Sequence, residues 1–167
     1  MLHWLLAVMI VCAFILGMYM HGLPVSPQKL KLYAYHKWLG VTIFALAAVR
    51  FLVRWRFPPP PFLSAPAWQL QLARSAHHLL YLLMFAVPIC GWLMSSAKGF
   101  QTVWFGVLPL PDLLDKDEAL GRSLRKLHEQ LSWGLILLAI LHAGAALKHH
   151  FFDRDATLVR MLPWTKP

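Results

Sequence analysis

Four apolar runs, each close to the 20 or so residues that a helix needs to cross the hydrocarbon of a bilayer, constrain this 167-residue chain more than any other feature. They cover about residues 3–20, 33–55, 76–96 and 127–147. Composition agrees: 59% of residues are hydrophobic, mean hydropathy is +0.55 and only 14% are charged, against roughly 25% in soluble domains. The expected fold is therefore all-α, a four-helix integral membrane bundle forming one domain over residues 1–167. The first run lacks a basic segment and a small-residue cleavage site, so it is read as a retained helix. Cys12 and Cys90 lie inside apolar runs without a CxxC or CxxCH pattern, which points to core filling.

Between the second and third runs, FPPPPFLSAPAW must interrupt the helix, because proline removes a backbone donor and fixes φ. The longest loop, residues 97–125, carries the acidic cluster Asp112, Asp115, Asp117 and Glu118. An even number of spans puts both termini on one side. Eight Lys/Arg fall on that side (Arg50, Arg54, Arg56, Arg74, Lys148, Arg154, Arg160, Lys166). Eight fall on the other (Lys29, Lys31, Lys37, Lys98, Lys116, Arg122, Arg125, Lys126), so charge bias decides nothing. The reading adopted puts both termini on the cytoplasmic side of the membrane. Basic residues on the outer face then run against the usual bias and suggest an anion, with lipid headgroups as the plainer alternative.

Histidines inside such runs are costly and ask for a partner. His128 and His142 stand 14 residues apart in the fourth run, about 21 Å of helix rise and within about 40° of one face. Neutral imidazole is a good iron ligand, so two haems at two depths account for the spacing. A proton relay, a hydrogen-bonded core histidine and another metal are the alternatives. By depth, His36 pairs with His128 at the outer level, while His142 pairs with His3 or with His77 at the inner one. Gly17 and Gly91 follow His3 and His77 by 14 residues and leave space at the opposite level. Arg50, 14 residues after His36, falls near the inner haem, where a propionate suits it; Arg54 suits a propionate or the headgroups.

HW at the head of the first run, YHKWLG, HHLLYLLMFAVPICGWLM and LHE…LHA…HHFF resemble the bacterial cytochrome b561 family, and DATLVRMLP extends the likeness over nearly the whole chain. Among its members the chain is most similar to the short stand-alone type, which includes superoxide oxidases that pass electrons from superoxide to ubiquinone. The resemblance implies a bundle enclosing two haem b groups, held by His3 with His142 and by His36 with His128. It leaves His77 for a propionate or the quinone and raises His149, with Arg74 nearby, as a quinone-site residue. Lys98, Arg125 and Lys126 are expected near the outer haem, steering superoxide. Family members usually carry a short polar segment before the first-helix histidine, whereas Met1 and Leu2 alone precede His3, a position open to fraying. His78 is read as a packing or interfacial residue, His21 as a solvated one and His150 as an interfacial anchor.

The expected partners are thus superoxide, ubiquinone and the lipid bilayer, with room for a homo-oligomer. Nucleic acid is set aside because most basic residues flank spanning helices. Two other functions fit the same residues: an electron-transfer subunit linking a dehydrogenase or hydrogenase to quinone, and a haem-free proton or metal transporter.

Overall fold

A computed structural model describes residues 1–58, 66–156 and 158–161. Most of the proline-rich connection, with Thr157, Leu162 and Pro163 of the tail likeness and Lys166 of the charge count, lies outside these. Four helices carry the chain: α1 (Leu2–Gly22), α2 (Pro27–Arg56), α3 (Ala67–Ala97) and α4 (Glu118–Phe151). Each is long and apolar enough to cross a membrane. All four extend past the apolar runs, and at α2 and α4 the starts are set by polar capping residues that lie outside any hydropathy window. Ser26 caps α2, its side chain accepting from the Lys29 amide at 3.2 Å, and Pro27 opens the helix where no amide is needed. Asp117 caps α4, accepting from the amides of Ala119 and Leu120 at 2.9 and 3.0 Å. His36 and His128 accordingly sit well inside their helices rather than at their starts.

Sequential neighbours pack antiparallel, α3 on α4 most extensively, then α1 on α2 and α2 on α3. α1 closes the ring onto α4 more lightly, with Phe14 against Trp133 at 4.8 Å between ring centroids. Leu6, Ile43, Ala47, Leu83, Met84 and Leu135 form a buried plug drawn from all four helices. Since Leu135 lies midway between His128 and His142, this plug separates two histidine levels. Large apolar side chains such as Val8, Ile15, Leu137 and Ile140 are exposed. That is an inside-out pattern suited to lipid.

Opposite the termini, the loop between α3 and α4 folds as a lid with a short hairpin, β1 (Val103–Trp104) and β2 (Leu108–Pro109). Phe105 and Gly106 both have positive φ, 51° and 73°, within the three-residue connection 105–107 that reverses the chain between the paired strands. The lid is pinned to α2. The Trp38 indole donates to the Val103 carbonyl at 2.7 Å, the Trp104 indole to the Thr42 hydroxyl at 3.2 Å, and the Lys37 ammonium to the Phe100 carbonyl at 2.8 Å.

Candidate haem and electron-transfer site

At the lid end, His36 and His128 meet from α2 and α4 with ring centroids 6.2 Å apart and planes at 84°. The approach depends on two glycines. A Cβ on Gly91 would lie 3.0 Å from His128 Cε1 and 3.2 Å from its Nδ1, and a Cβ on Gly17 would lie 3.3 Å from His36 Cε1. The bare backbone at Gly91 lets His128 reach the carbonyl one turn earlier, so its Nδ1–H donates to Val87 O at 3.0 Å. With the proton held on Nδ1, Nε2 keeps its lone pair, the tautomer a metal ligand needs. His36 crosses Gly17 in the same manner. The carbonyl one turn before that glycine, Ala13, acts on the ring, but Nδ1 is buried with no partner of full hydrogen-bond geometry.

At the end that carries the termini, the set is larger. His3 and His142 have centroids 6.3 Å apart with planes at 88°, while His77 lies closer to His142, at 5.3 Å and 69°. Arg50 joins them: its Nη1 is 2.7 Å from His3 Nδ1, and its Nε donates to the Tyr81 hydroxyl at 3.2 Å. Arginine has only donors, so His3 Nδ1 accepts. The start of α1 is held by more than its own turns, because the Trp4 indole donates to the Met161 carbonyl at 2.8 Å and Leu6 is completely enclosed. That tie supports His3 against fraying.

The structure brings some expected residues together and separates others. Lys98 lies across α4 at Gly121, where a Cβ would meet Lys98 Cγ at 2.9 Å. Burial, and then the charge of Arg125, lower its ammonium below the ordinary lysine value. Arg125 and Lys126 are exposed beside it. Arg74 lines a groove of about 340 Å³ between α2 and α3, together with Phe51, Arg54, Trp55, His77, His78 and Tyr81. His149 does not line that groove; its Nδ1 lies 2.9 Å from an oxygen of Asp153 and 2.9 Å from one of Asp155. Tyr81, the Val87 carbonyl and these two aspartates are site groups that sequence reasoning missed. Only Gly91, within the CGW stretch, signalled any of them.

Comparison with known proteins agrees with this geometry. The family described as prokaryotic cytochrome b561 matches residues 1–164. Cytochrome b561 homolog 2 of Escherichia coli K12 is 38% identical over 162 residues, covering 96% of this chain and 86% of the relative. The probable superoxide oxidase CybB of Yersinia pestis is 29% identical over 163 residues, 97% of this chain and 92% of the relative. Cytochrome b561 homolog 1 of E. coli K12 is 31% identical over 130 residues, 76% and 72% of the two chains. Four apolar helices presenting opposed imidazoles, and a family match over almost every residue, place the chain in the prokaryotic cytochrome b561 family of membrane electron-transfer proteins with b-type haem.

Proposed function

We propose that the protein is a two-haem cytochrome of the inner membrane that oxidises superoxide at the lid end and reduces ubiquinone at the terminal end. The carrying observation is the separation of the imidazole pairs. A ligating nitrogen lies about 2 Å from its metal and about 1 Å from its own ring centre. Two imidazoles that would hold one iron between them would therefore have centroids about 6 Å apart. His36 with His128 at 6.2 Å and His3 with His142 at 6.3 Å meet this separation, one pair at each level. His77 with His142 at 5.3 Å is too close, so His77 is a neighbour of the inner pair rather than a ligand in it.

The donor groups suit haem. His128 presents Nε2 by virtue of its bond to Val87. His3 presents Nε2 once Arg50 takes another acceptor, and a haem carboxylate is such an acceptor. Bound haem supplies one-electron chemistry, and the protein tunes it through ligands, burial and field. The remaining steps belong to the chain. Lys98, Arg125 and Lys126 draw an anion to the lid end. The plug around Leu6 and Leu135 keeps water from the path between the two levels. At the terminal end, Arg74 in its groove and His149 outside it are the candidate hydrogen-bonding groups for a quinone. Two superoxide ions yield two molecules of oxygen, and their electrons with two protons convert one quinone to quinol. The homologue named a probable superoxide oxidase supports this choice of donor.

Haem and protein quantitation with a reduced-minus-oxidised spectrum should give two haems per chain. Superoxide should reduce them faster than it dismutates, and ubiquinone should reoxidise them. One haem per chain would reject the pairing. Reduction no faster than dismutation would replace this reading with an electron-transfer subunit.

A further inference from the structure

His149 lies seven residues beyond His142, about 10.5 Å further along α4 and within about 20° of the same face. After it the chain turns back at once. The Phe152 amide donates to Lys148 O at 2.9 Å, and the Asp155 amide to His149 O at 3.1 Å. Arg154 between the two aspartates adopts φ 52°, a left-handed conformation disfavoured in a residue with a Cβ. That reversal aims both carboxylates at one ring. The Asp153 and Asp155 oxygens each lie 2.9 Å from His149 Nδ1, and Lys148 Nζ lies 2.7 Å from the same Asp153 oxygen. Asp155 thus grips His149 twice, by amide to carbonyl and by carboxylate to ring.

We propose that Asp155 and Asp153 are positioning residues for quinone reduction: they hold the His149 proton on Nδ1, so that Nε2 is the nitrogen that delivers protons to the quinone. This rests on the quinone reading above. The imidazolium gives its Nε2 proton to a quinone oxygen as an electron arrives from superoxide, forming O–H. The neutral ring, still donating from Nδ1 to Asp155, regains a proton on Nε2 from water. A second round completes the quinol. The two electrons come from two superoxide ions, each oxidised to oxygen. A ring without the carboxylates divides its proton between both nitrogens and presents the wrong one part of the time.

The test uses the full-length haem-loaded protein in nanodiscs. Nitrogen-15 NMR of labelled histidine, with His149 assigned by its loss in His149→Gln, should show an Nδ1–H ring in the wild type and a mixed or Nε2–H ring in Asp153→Asn/Asp155→Asn. Haem content and optical spectrum control for folding. Reoxidation of the reduced protein by decylubiquinone should slow about tenfold in the double variant, the lower range for loss of a group that orients a functional histidine. Adding His149→Gln should cost no more than His149→Gln alone, because the residues act as one unit. An unchanged tautomer, unchanged reoxidation, or losses that add would overturn the proposal alone. Wild-type protein that decylubiquinone does not reoxidise would overturn the quinone reading and this proposal with it.

Discussion

The two histidine levels are built by different means. At the lid end, His36 and His128 each cross a glycine toward a main-chain carbonyl. At the terminal end no glycine abuts His3, His77 or His142. There the rings are placed by one another and by Arg50, which also holds Tyr81. Main-chain carbonyls in a helix do not change rotamer, so the lid-end site is rigid. Side-chain partners can exchange, so the terminal site adapts. The contrast suits the proposed function, in which one end meets a diatomic anion and the other admits a quinone and protons.

Removing a ligand breaks the comparison most severely. His128→Ala or His36→Ala should reduce haem from two per chain to one, read by haem-to-protein ratio, with the terminal-end haem retained. Retention of both haems would end the assignment.

The terminal end should behave differently. His3→Ala should lose its haem or hold it weakly, because His77 is too near His142 to take the opposite side of the iron without moving. His77→Ala should keep two haems and alter only their spectrum or potential. If His77→Ala loses a haem and His3→Ala does not, the pairing at this end is reversed.

A smaller effect distinguishes the glycines. Gly91→Ala puts a methyl 3.0 Å from His128 Cε1, whereas Gly17→Ala puts one 3.3 Å from His36 Cε1. Both contacts are tighter than ordinary ones, and the shorter asks more of His128, against its bond to Val87; overpacking of this kind costs about 1–3 kcal/mol. Lid-end haem content or thermal stability should therefore fall more for Gly91→Ala than for Gly17→Ala. Equal effects would mean that the Val87 bond does not matter.

Hydropathy made the four spans and both histidine depths legible, because a 3.6-residue period converts spacing directly into depth and face. The helix ends were not legible that way: Ser26–Pro27 and Asp117–Glu118 are capping signals that an apolar window passes over. The lid hairpin turns on Phe105–Gly106, which lacks the usual Asn-Gly or Asp-Gly mark, so VWFGVLP read as loop. The glycine spacing was visible as room at each level, but its use by an imidazole to reach a carbonyl is a three-dimensional fact. Asp153 and Asp155 reach His149 only because Arg154 takes a left-handed turn, and nothing about arginine announces that.

The weakest expected effect concerns the lid-end charges. Lys98 is partly buried against Gly121 and held below its ordinary value by that burial and by Arg125, while Arg125 and Lys126 are exposed. Exposed charges act on a small anion at long range, and their field falls off over about 8 Å at physiological salt. Changing Lys98, Arg125 and Lys126 together to glutamine should slow haem reduction by superoxide about tenfold, the low end of what focused fields contribute to association, and leave haem content at two. Raising salt should slow the unmodified protein in the same direction and the triple variant far less. A neutral reductant should respond to neither change, because an uncharged molecule gains nothing from the field. If superoxide reduces wild type and triple variant equally at low salt, these cations serve the headgroups, and the difference between the two ends of the bundle lies in ligand support alone.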